Sequence, residues 1–176
     1  MCIRDSFPYL QRTYQLEALR TGLLASAPLI GGALGNWVGG VLVDGLYRSG
    51  RTTLSRRVPA MAGFVLSAGG LLASLNFQDP VPVVLCLTVA IFGADMTLPA
   101  SWAFCIDIGR SHSGTVAGTM NMAGNIGSFV TSLAFPYLLV LTKSTTPFFM
   151  IAAALNLMAV WLWLVVDPSK PVGGRS

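Results

Sequence analysis

The chain has 176 residues, of which 53% are hydrophobic and only 10% carry a charge. Ordinary soluble domains carry about 25% charged residues, so this composition leaves too little polar surface to cover a water-soluble globule. It predicts an integral membrane protein. The net charge of +4 does not indicate nucleic-acid binding, because the basic residues lie between apolar runs and not on one soluble face.

Five apolar stretches are each long enough to cross about 30 Å of hydrocarbon as a helix. In chain order they are residues 22–46, 58–77, 81–106, 114–141 and 147–166. Their short connections predict antiparallel neighbours, and the runs lack the alternation of β-barrel strands. Residues 7–20, FPYLQRTYQLEALR, are predicted to be the outer end of a sixth helix. We therefore expect a transmembrane bundle over 7–167, an unassigned stretch 1–6 and a tail 168–176, with six helices dividing into two triplets as in secondary transporters.

The distribution of Lys and Arg predicts how this bundle is oriented. Seven basic residues fall on one side of the predicted spans and four on the other. The seven are Arg48, Arg51, Arg56, Arg57, Arg110, Lys170 and Arg175, and the four are Arg4, Arg12, Arg20 and Lys143. The richer side is predicted to be cytoplasmic, which places the C-terminus in the cytoplasm.

Glycines at a spacing of four mark one face of the first span. Gly31, Gly35 and Gly39 form a smooth strip that another helix backbone can approach closely. Packing without any moving partner explains the strip equally well. No Walker sequence and no G-x-G-x-x-G pattern accompanies these glycines, which argues against a phosphate-cradling loop. The three cysteines lack the spacing of metal ligands, and we predict neither a cofactor nor a metal site.

The end of the first span and the loop after it carry a sequence motif. It reads Gly40-x-x-x-Asp44, followed by Arg48-x-Gly50-Arg51. The motif resembles the loop between the second and third helices in each half of major facilitator superfamily transporters. It departs from that pattern because three residues stand where a basic residue usually follows the aspartate directly.

A second resemblance lies further along the chain. Residues 98–127, LPASWAFCIDIGRSHSGTVAGTMNMAGNIG, are similar to the tenth-to-eleventh helix region of the anion:cation symporter family within that superfamily. The resemblance covers nearly the whole chain from Phe7. It implies an all-α integral membrane fold, the C-terminal six-helix bundle of a major facilitator fold, with five complete spans and a partial one.

Four polar side chains in the third and fourth spans are predicted to contact a ligand. Ser101 and Trp102 follow Pro99, whose missing amide hydrogen predicts a kink with free carbonyls near the membrane middle. Asn121 and Asn125 are four residues apart, so both amides lie on one helix face. The resemblance implies that Ser101, Trp102 and Asn121 occupy substrate-contacting positions in a central cavity. The alternatives are a lipid-facing Trp102 and interhelical hydrogen bonding by the two asparagines.

Asp95 lies about fifteen residues into the third span, near the middle of the bilayer. A charge at this depth costs about 2.5–3.5 kcal/mol. The side chain is therefore expected to face a water-filled cavity or a partner, or to be protonated. This makes Asp95 a candidate for coupling transport to a cation. A neutral carboxyl that bonds to a neighbouring helix is the alternative.

A cytoplasmic gate or latch is predicted from charged residues at the inner ends of the spans. Asp44 and Arg48 are one helical turn apart, and Arg51 follows in the same loop. Asp107 and Arg110 lie at the inner end of the third span. The sharper hypothesis is that Asp44 meets a neighbouring helix end and holds one conformation of a moving bundle. The simpler one is a solvated surface pair worth a few tenths of a kcal/mol.

These features predict the C-terminal half of a cation-coupled symporter for small organic anions, such as sugar acids or other carboxylates, working by alternating access. Its expected partners are the organic anion, a proton or sodium ion, the lipid bilayer and an N-terminal six-helix half. The expected location is a bacterial inner membrane. The alternative is a non-transporting membrane interaction protein, a half-bundle that dimerises or modulates a full transporter. An enzyme is not predicted, because no paired acids, His cluster or nucleophile–base pair occur at one depth.

Overall fold

The computed structural model describes residues 18–167, and this part of the chain is helical, without a strand. Its five α-helices are α1 (Ala18–Arg48), α2 (Thr52–Ser74), α3 (Pro80–Gly109), α4 (Ser113–Thr142) and α5 (Thr146–Val165). A 3-10 turn, Arg110–His112, joins α3 to α4. The prediction of an all-α membrane fold is confirmed.

Four stretches of the described chain are long and apolar enough to cross a membrane. The third, Pro80–Thr142, contains α3, the 3-10 turn and α4. The chain reverses direction at this turn, since the Cys105 Sγ before it lies 3.4 Å from the Met120 Sδ after it. The predicted count of six helices is not matched by the described residues, which form five. The predicted partial helix at 7–20 lies outside them except for its last three residues.

The contact between α1 and α3 is built on the glycine strip of α1. A Cβ atom at Gly31 would lie 2.6 Å from the methyl carbon of Thr88 and 3.1 Å from its carbonyl oxygen. At Gly35 the backbone of Phe92 fills that space, and Gly39 is packed in the same way. Residue numbers rise together along this contact, so α1 and α3 are parallel. The predicted close approach along this strip is confirmed.

A second glycine contact joins α2 to another side of α3. A Cβ atom at Gly70 would lie 2.6 Å from the carbonyl oxygen of Cys86, and one at Gly93 would lie 2.5 Å from that of Gly63. Residue numbers run in opposite directions here, so α2 and α3 are antiparallel. Because backbones meet on both sides, α3 is the central helix of the described bundle.

The last two helices, α4 and α5, differ in how much of their surface is buried against the other helices. On α5, Phe149 is buried against Val83 and Leu87, and Trp163 meets Phe104 edge-on with ring centroids 5.4 Å apart. In contrast, α4 has no buried residue. It touches α3 near the 3-10 turn and touches α5 through aromatic rings, and much of its length is open.

Candidate functional site

A stripe of small and polar residues runs along α4. Gly118, Asn121, Asn125 and Ser128 are all exposed, and their spacings of three and four residues place them on one helix face. Neither asparagine side chain makes a hydrogen bond to another described residue. Unpaired amides are costly in hydrocarbon. This face therefore requires water, a ligand or further protein against it.

A neighbouring face of α4 is apolar. Met122, Ile126, Phe129 and Leu133 follow the same spacing one residue later and are all more than half exposed. Large apolar side chains of this kind suit contact with lipid tails. The helix thus separates a polar face from a lipid-compatible one.

The other two predicted ligand residues lie on α3 beside this part of α4. Trp102 is 43% exposed, whereas Ser101 is partly buried and donates a hydrogen bond to the carbonyl oxygen four residues earlier, at 2.9 Å. The contact between Cys105 and Met120 sets the level of the two helices. Ser101 and Trp102 are one turn from that contact, as is Asn125, and Asn121 is next to it. The four residues therefore share a depth, although no hydrogen bond joins the two pairs within the described chain.

Asp95 lies at the contact between α3 and α1. Its Oδ2 atom stands where a side chain at position 32 would begin, which is possible because residue 32 is glycine. The carboxyl is partly buried, and within the described residues no hydrogen bond or ion pair reaches it. Asp95 and Trp102 are seven residues apart on one helix, so they lie on the same face of α3, about two turns from each other.

The residues of the predicted cytoplasmic latch are only partly brought together. Four of them are exposed, and their side chains make no hydrogen bond or ion pair to another described residue: Asp44, Arg48, Arg51 and Arg110. The fifth, Asp107, accepts hydrogen bonds from Arg56, with Nε at 2.8 Å and Nη2 at 3.4 Å. Arg56–Asp107 is thus an ion pair at this end of the bundle, and no pair forms between Asp44 and Arg48 in the described chain.

Arg56 and Arg57 each bind groups outside α2. From the sequence, these two residues only helped to predict the orientation of the bundle. Besides Asp107, the Arg56 guanidinium contacts Ser55 Oγ at 3.1 Å and stacks over the Tyr47 ring, 5.2 Å from its centroid. Arg57 donates twice to the carbonyl oxygen of Val166, the residue just after α5, with Nε at 3.2 Å and Nη2 at 2.6 Å. Two consecutive arginines at the start of an apolar helix were the available signal, since such cations need partners.

Comparison with known proteins gives the family. Residues 6–176, almost the whole chain, match the sequence model of the Major Facilitator Superfamily. The chain belongs to the Major Facilitator Superfamily. This confirms the family resemblance read from the motifs, and it makes the chain an integral membrane protein of a transporter superfamily and not an enzyme.

Relatives within the superfamily are similar over nearly all of this chain. It is 30% identical to a probable sulfoacetate transporter of Cupriavidus necator, over 91% of this chain and 37% of the relative. It is 31% identical to a probable galactarate/D-glucarate transporter of Bacillus subtilis, over 94% of this chain and 37% of the relative. A probable galactarate/D-glucarate transporter of Escherichia coli is also 31% identical, over 92% of this chain and 37% of the relative. The chain thus spans little more than a third of the length of these major facilitator relatives.

Proposed function

We propose that this chain is the C-terminal six-helix half of a cation-coupled secondary transporter for small organic anions, such as sugar acids or other carboxylates. Relatives named as transporters of sulfoacetate, galactarate and D-glucarate support this substrate class. In this proposal two helical bundles rock about a site near the membrane middle. The membrane is a bacterial inner membrane, with the arginine-rich end of the bundle and the C-terminus in the cytoplasm.

The observation that carries the proposal is the pair of unpaired amides on α4. Asn121 and Asn125 lie on an exposed face of a helix that has no buried residue, at the level of Trp102 on α3. Amide groups donate and accept hydrogen bonds, which suits the hydroxyl groups of a sugar acid, and an indole offers a flat surface and one N–H group. We propose Asn121, Asn125, Ser101 and Trp102 as the ligand-facing groups.

The charge of the anion has no counterpart on this side of the proposed site. The helix interiors 22–43, 58–78, 80–106, 113–142 and 146–166 contain no Lys or Arg. We therefore propose that the N-terminal half supplies the cationic groups, and that this chain alone does not transport. At the cytoplasmic end, the proposed gate comprises Asp44, Arg48, Arg51 and Arg110 around the Arg56–Asp107 ion pair.

Uptake by a joined protein tests this function. The chain would be fused to the N-terminal half of the Bacillus subtilis relative and reconstituted in liposomes under a proton or sodium gradient. We expect the fusion to accumulate labelled D-glucarate and the 176-residue chain alone to accumulate none. Asn121→Ala in the fusion should raise the KM for D-glucarate about tenfold or more, because losing a hydrogen bond to a ligand costs about 1–2 kcal/mol.

A matched control is available on α5. The amide of Asn156 donates to the carbonyl oxygen of Ala152 at 2.8 Å, so this side chain is already paired within its own helix. Asn156→Ala should leave the KM for D-glucarate unchanged. Accumulation by the chain alone would refute the need for a second half, and equal KM values for the two alanine variants would refute the assigned site.

The open face of α4 also favours the second candidate, a half-bundle that dimerises or modulates a full transporter. The glycines Gly114, Gly118, Gly124 and Gly127 have no atom within 4 Å of an added Cβ, so a further helix could approach closely there. Cysteine crosslinking at position 118 in dilute liposomes distinguishes the two. Efficient chain-to-chain crosslinks that D-glucarate does not alter would favour the interaction protein.

A further inference from the structure

Asp95 stands alone as a charged residue inside the membrane part of the described bundle. Apart from it, the helix interiors 22–43, 58–78, 80–106, 113–142 and 146–166 contain no Asp, Glu, Lys or Arg. Among the described residues, the helices that pack against α3 therefore bring no charged group to face Asp95 at this depth. An ionised carboxylate at the membrane middle costs about 2.5–3.5 kcal/mol. A protonated, neutral carboxyl avoids this cost where α1 and α3 pack around it.

Two residues shape the surroundings of the Asp95 carboxyl because each lacks a group that other residues have. Gly32 has no side chain, and Pro99 has no amide hydrogen. Gly32 on α1 leaves the space that the Oδ2 atom of Asp95 occupies. Pro99 follows Asp95 by four residues inside α3, and proline has no amide hydrogen. The main-chain carbonyl of Asp95 therefore lacks its helical donor. Asp95 thus places its carboxyl group at the α1–α3 contact, and its main-chain carbonyl lacks the donor that an ordinary residue at position 99 would supply.

This set of groups fits a proton better than a metal ion. Sodium and other hard cations are held by several oxygens at once. Among the described residues no group of three or more His, Cys, Asp or Glu side chains could hold a metal.

We infer that Asp95 binds a proton at the α1–α3 contact, in a site formed by Gly32 and Pro99, and that proton release separates the two helices there. The protonated carboxyl is neutral and packs against Gly32. The ionised carboxylate requires water, so α1 moves away from the face of α3 that Asp95 shares with Trp102, and there the carboxylate repels an anion. Only the transport role of this site rests on the proposed function. In that role, a bound proton favours binding of the anion, and a bound anion favours binding of the proton.

Infrared difference spectroscopy tests proton binding on the 176-residue chain itself, in lipid nanodiscs and without any substrate. We expect acidification to produce a carboxylic-acid carbonyl band that is lost in Asp95→Asn. Adding sodium in place of choline at constant pH should leave the wild-type spectrum unchanged. A sodium-dependent change would overturn the proton assignment, and a spectrum that Asp95→Asn does not alter would overturn the site.

Spin-label distances test the movement. Labels at Leu34 on α1 and Val89 on α3 are suitable because both side chains are exposed, and the native cysteines would first be replaced by serine. We expect the distance to increase by about 1–2 Å on raising the pH, as in other helix shifts. Asp95→Asn should stay at the short distance at every pH, since its amide is always neutral.

A glycine pair on α1 provides the matched control. Gly32→Ala fills the space of the carboxyl and should abolish the pH dependence of the distance, whereas Gly40→Ala, with no atom within 4 Å, should retain it. A pH-independent distance in the wild type, or equal behaviour of the two alanine variants, would overturn the inference. The spectra and distances are measured without transport. The inference on Asp95 can therefore hold when D-glucarate uptake fails, and it can fail when uptake succeeds.

Discussion

The Arg56 guanidinium joins the start of α2 to the end of α3 through the carboxylate of Asp107. Its Nε lies 2.8 Å from Oδ2 and its Nη2 lies 3.4 Å from Oδ1, which is the two-pronged geometry of strong Arg–carboxylate pairs. The Arg56 side chain is only 8% exposed and that of Asp107 is 35% exposed. The pair therefore fixes the end of the central helix that precedes the 3-10 turn.

Neutralising the acid of this pair should destabilise the bundle. Asp107→Asn leaves the buried Arg56 without an anionic partner, and we expect a loss of about 1–3 kcal/mol in the free energy of unfolding. Denaturant titration of the chain in lipid micelles measures it. The control is Asp44→Asn, since Asp44 is exposed and joined to no other described residue, so a change within about 0.5 kcal/mol is expected. Equal losses would contradict the assigned role of Arg56–Asp107.

The glycine strip of α1 makes a prediction about packing. A methyl group at Gly35 would collide with the main chain of Phe92, which cannot move independently of α3. Gly35→Ala should therefore lower the free energy of unfolding by about 1–3 kcal/mol. In the same helix, Gly40→Ala meets nothing within 4 Å and should raise it by about 0.5–1 kcal/mol through helix propensity. If α1 did not pack on α3 through this strip, the two substitutions would not change the free energy of unfolding in opposite directions.

The 3-10 turn between α3 and α4 contains a strained residue. Arg110 has a φ of 45° and a ψ of −114°, a conformation that glycine adopts without strain. We expect Arg110→Gly to raise the melting temperature of the chain in detergent, since strain of this kind costs about 1–3 kcal/mol. Arg48→Gly, which removes the same side chain from the last residue of α1, has no such strain to relieve. Arg48→Gly should therefore not raise the melting temperature. A rise equal to that of Arg110→Gly would argue that relief of strain at Arg110 is not the cause.

The two faces of α4 should react differently with water-soluble thiol reagents. In a cysteine-free background, single cysteines at Asn121, Asn125 and Ser128 should be labelled at least tenfold faster than cysteines at Met122 and Phe129. The reason is that thiols react as thiolates, which form in water and not among lipid tails. Mass spectrometry of intact protein in liposomes gives the rates. Similar rates on both faces would remove the distinction between a cavity face and a lipid face.

Local sequence patterns were sufficient for much of the fold. Apolar length marked the positions of five helices, and the spacing of Gly31, Gly35 and Gly39 predicted a helix contact, because both signals depend on residues within one helix. The bounds were less accurate. The second helix begins at Thr52 and not at 58, because Arg56 and Arg57 are held inside the helix by partners at the ends of α3 and α5.

Only the tertiary structure decided which residues meet. By sequence, Asp44 and Arg48 were the natural ion pair, since they lie one turn apart, whereas the actual pair joins Arg56 to Asp107 across 51 residues of chain. Likewise, nothing in the sequence places the Asp95 carboxyl against Gly32. Helix periodicity fixes the face on which a side chain lies, but the rotation and crossing of two helices fix its partner. Sequence alone thus determined a helical membrane chain of the Major Facilitator Superfamily, and packing determined the Arg56–Asp107 ion pair and the contact of the Asp95 carboxyl with Gly32.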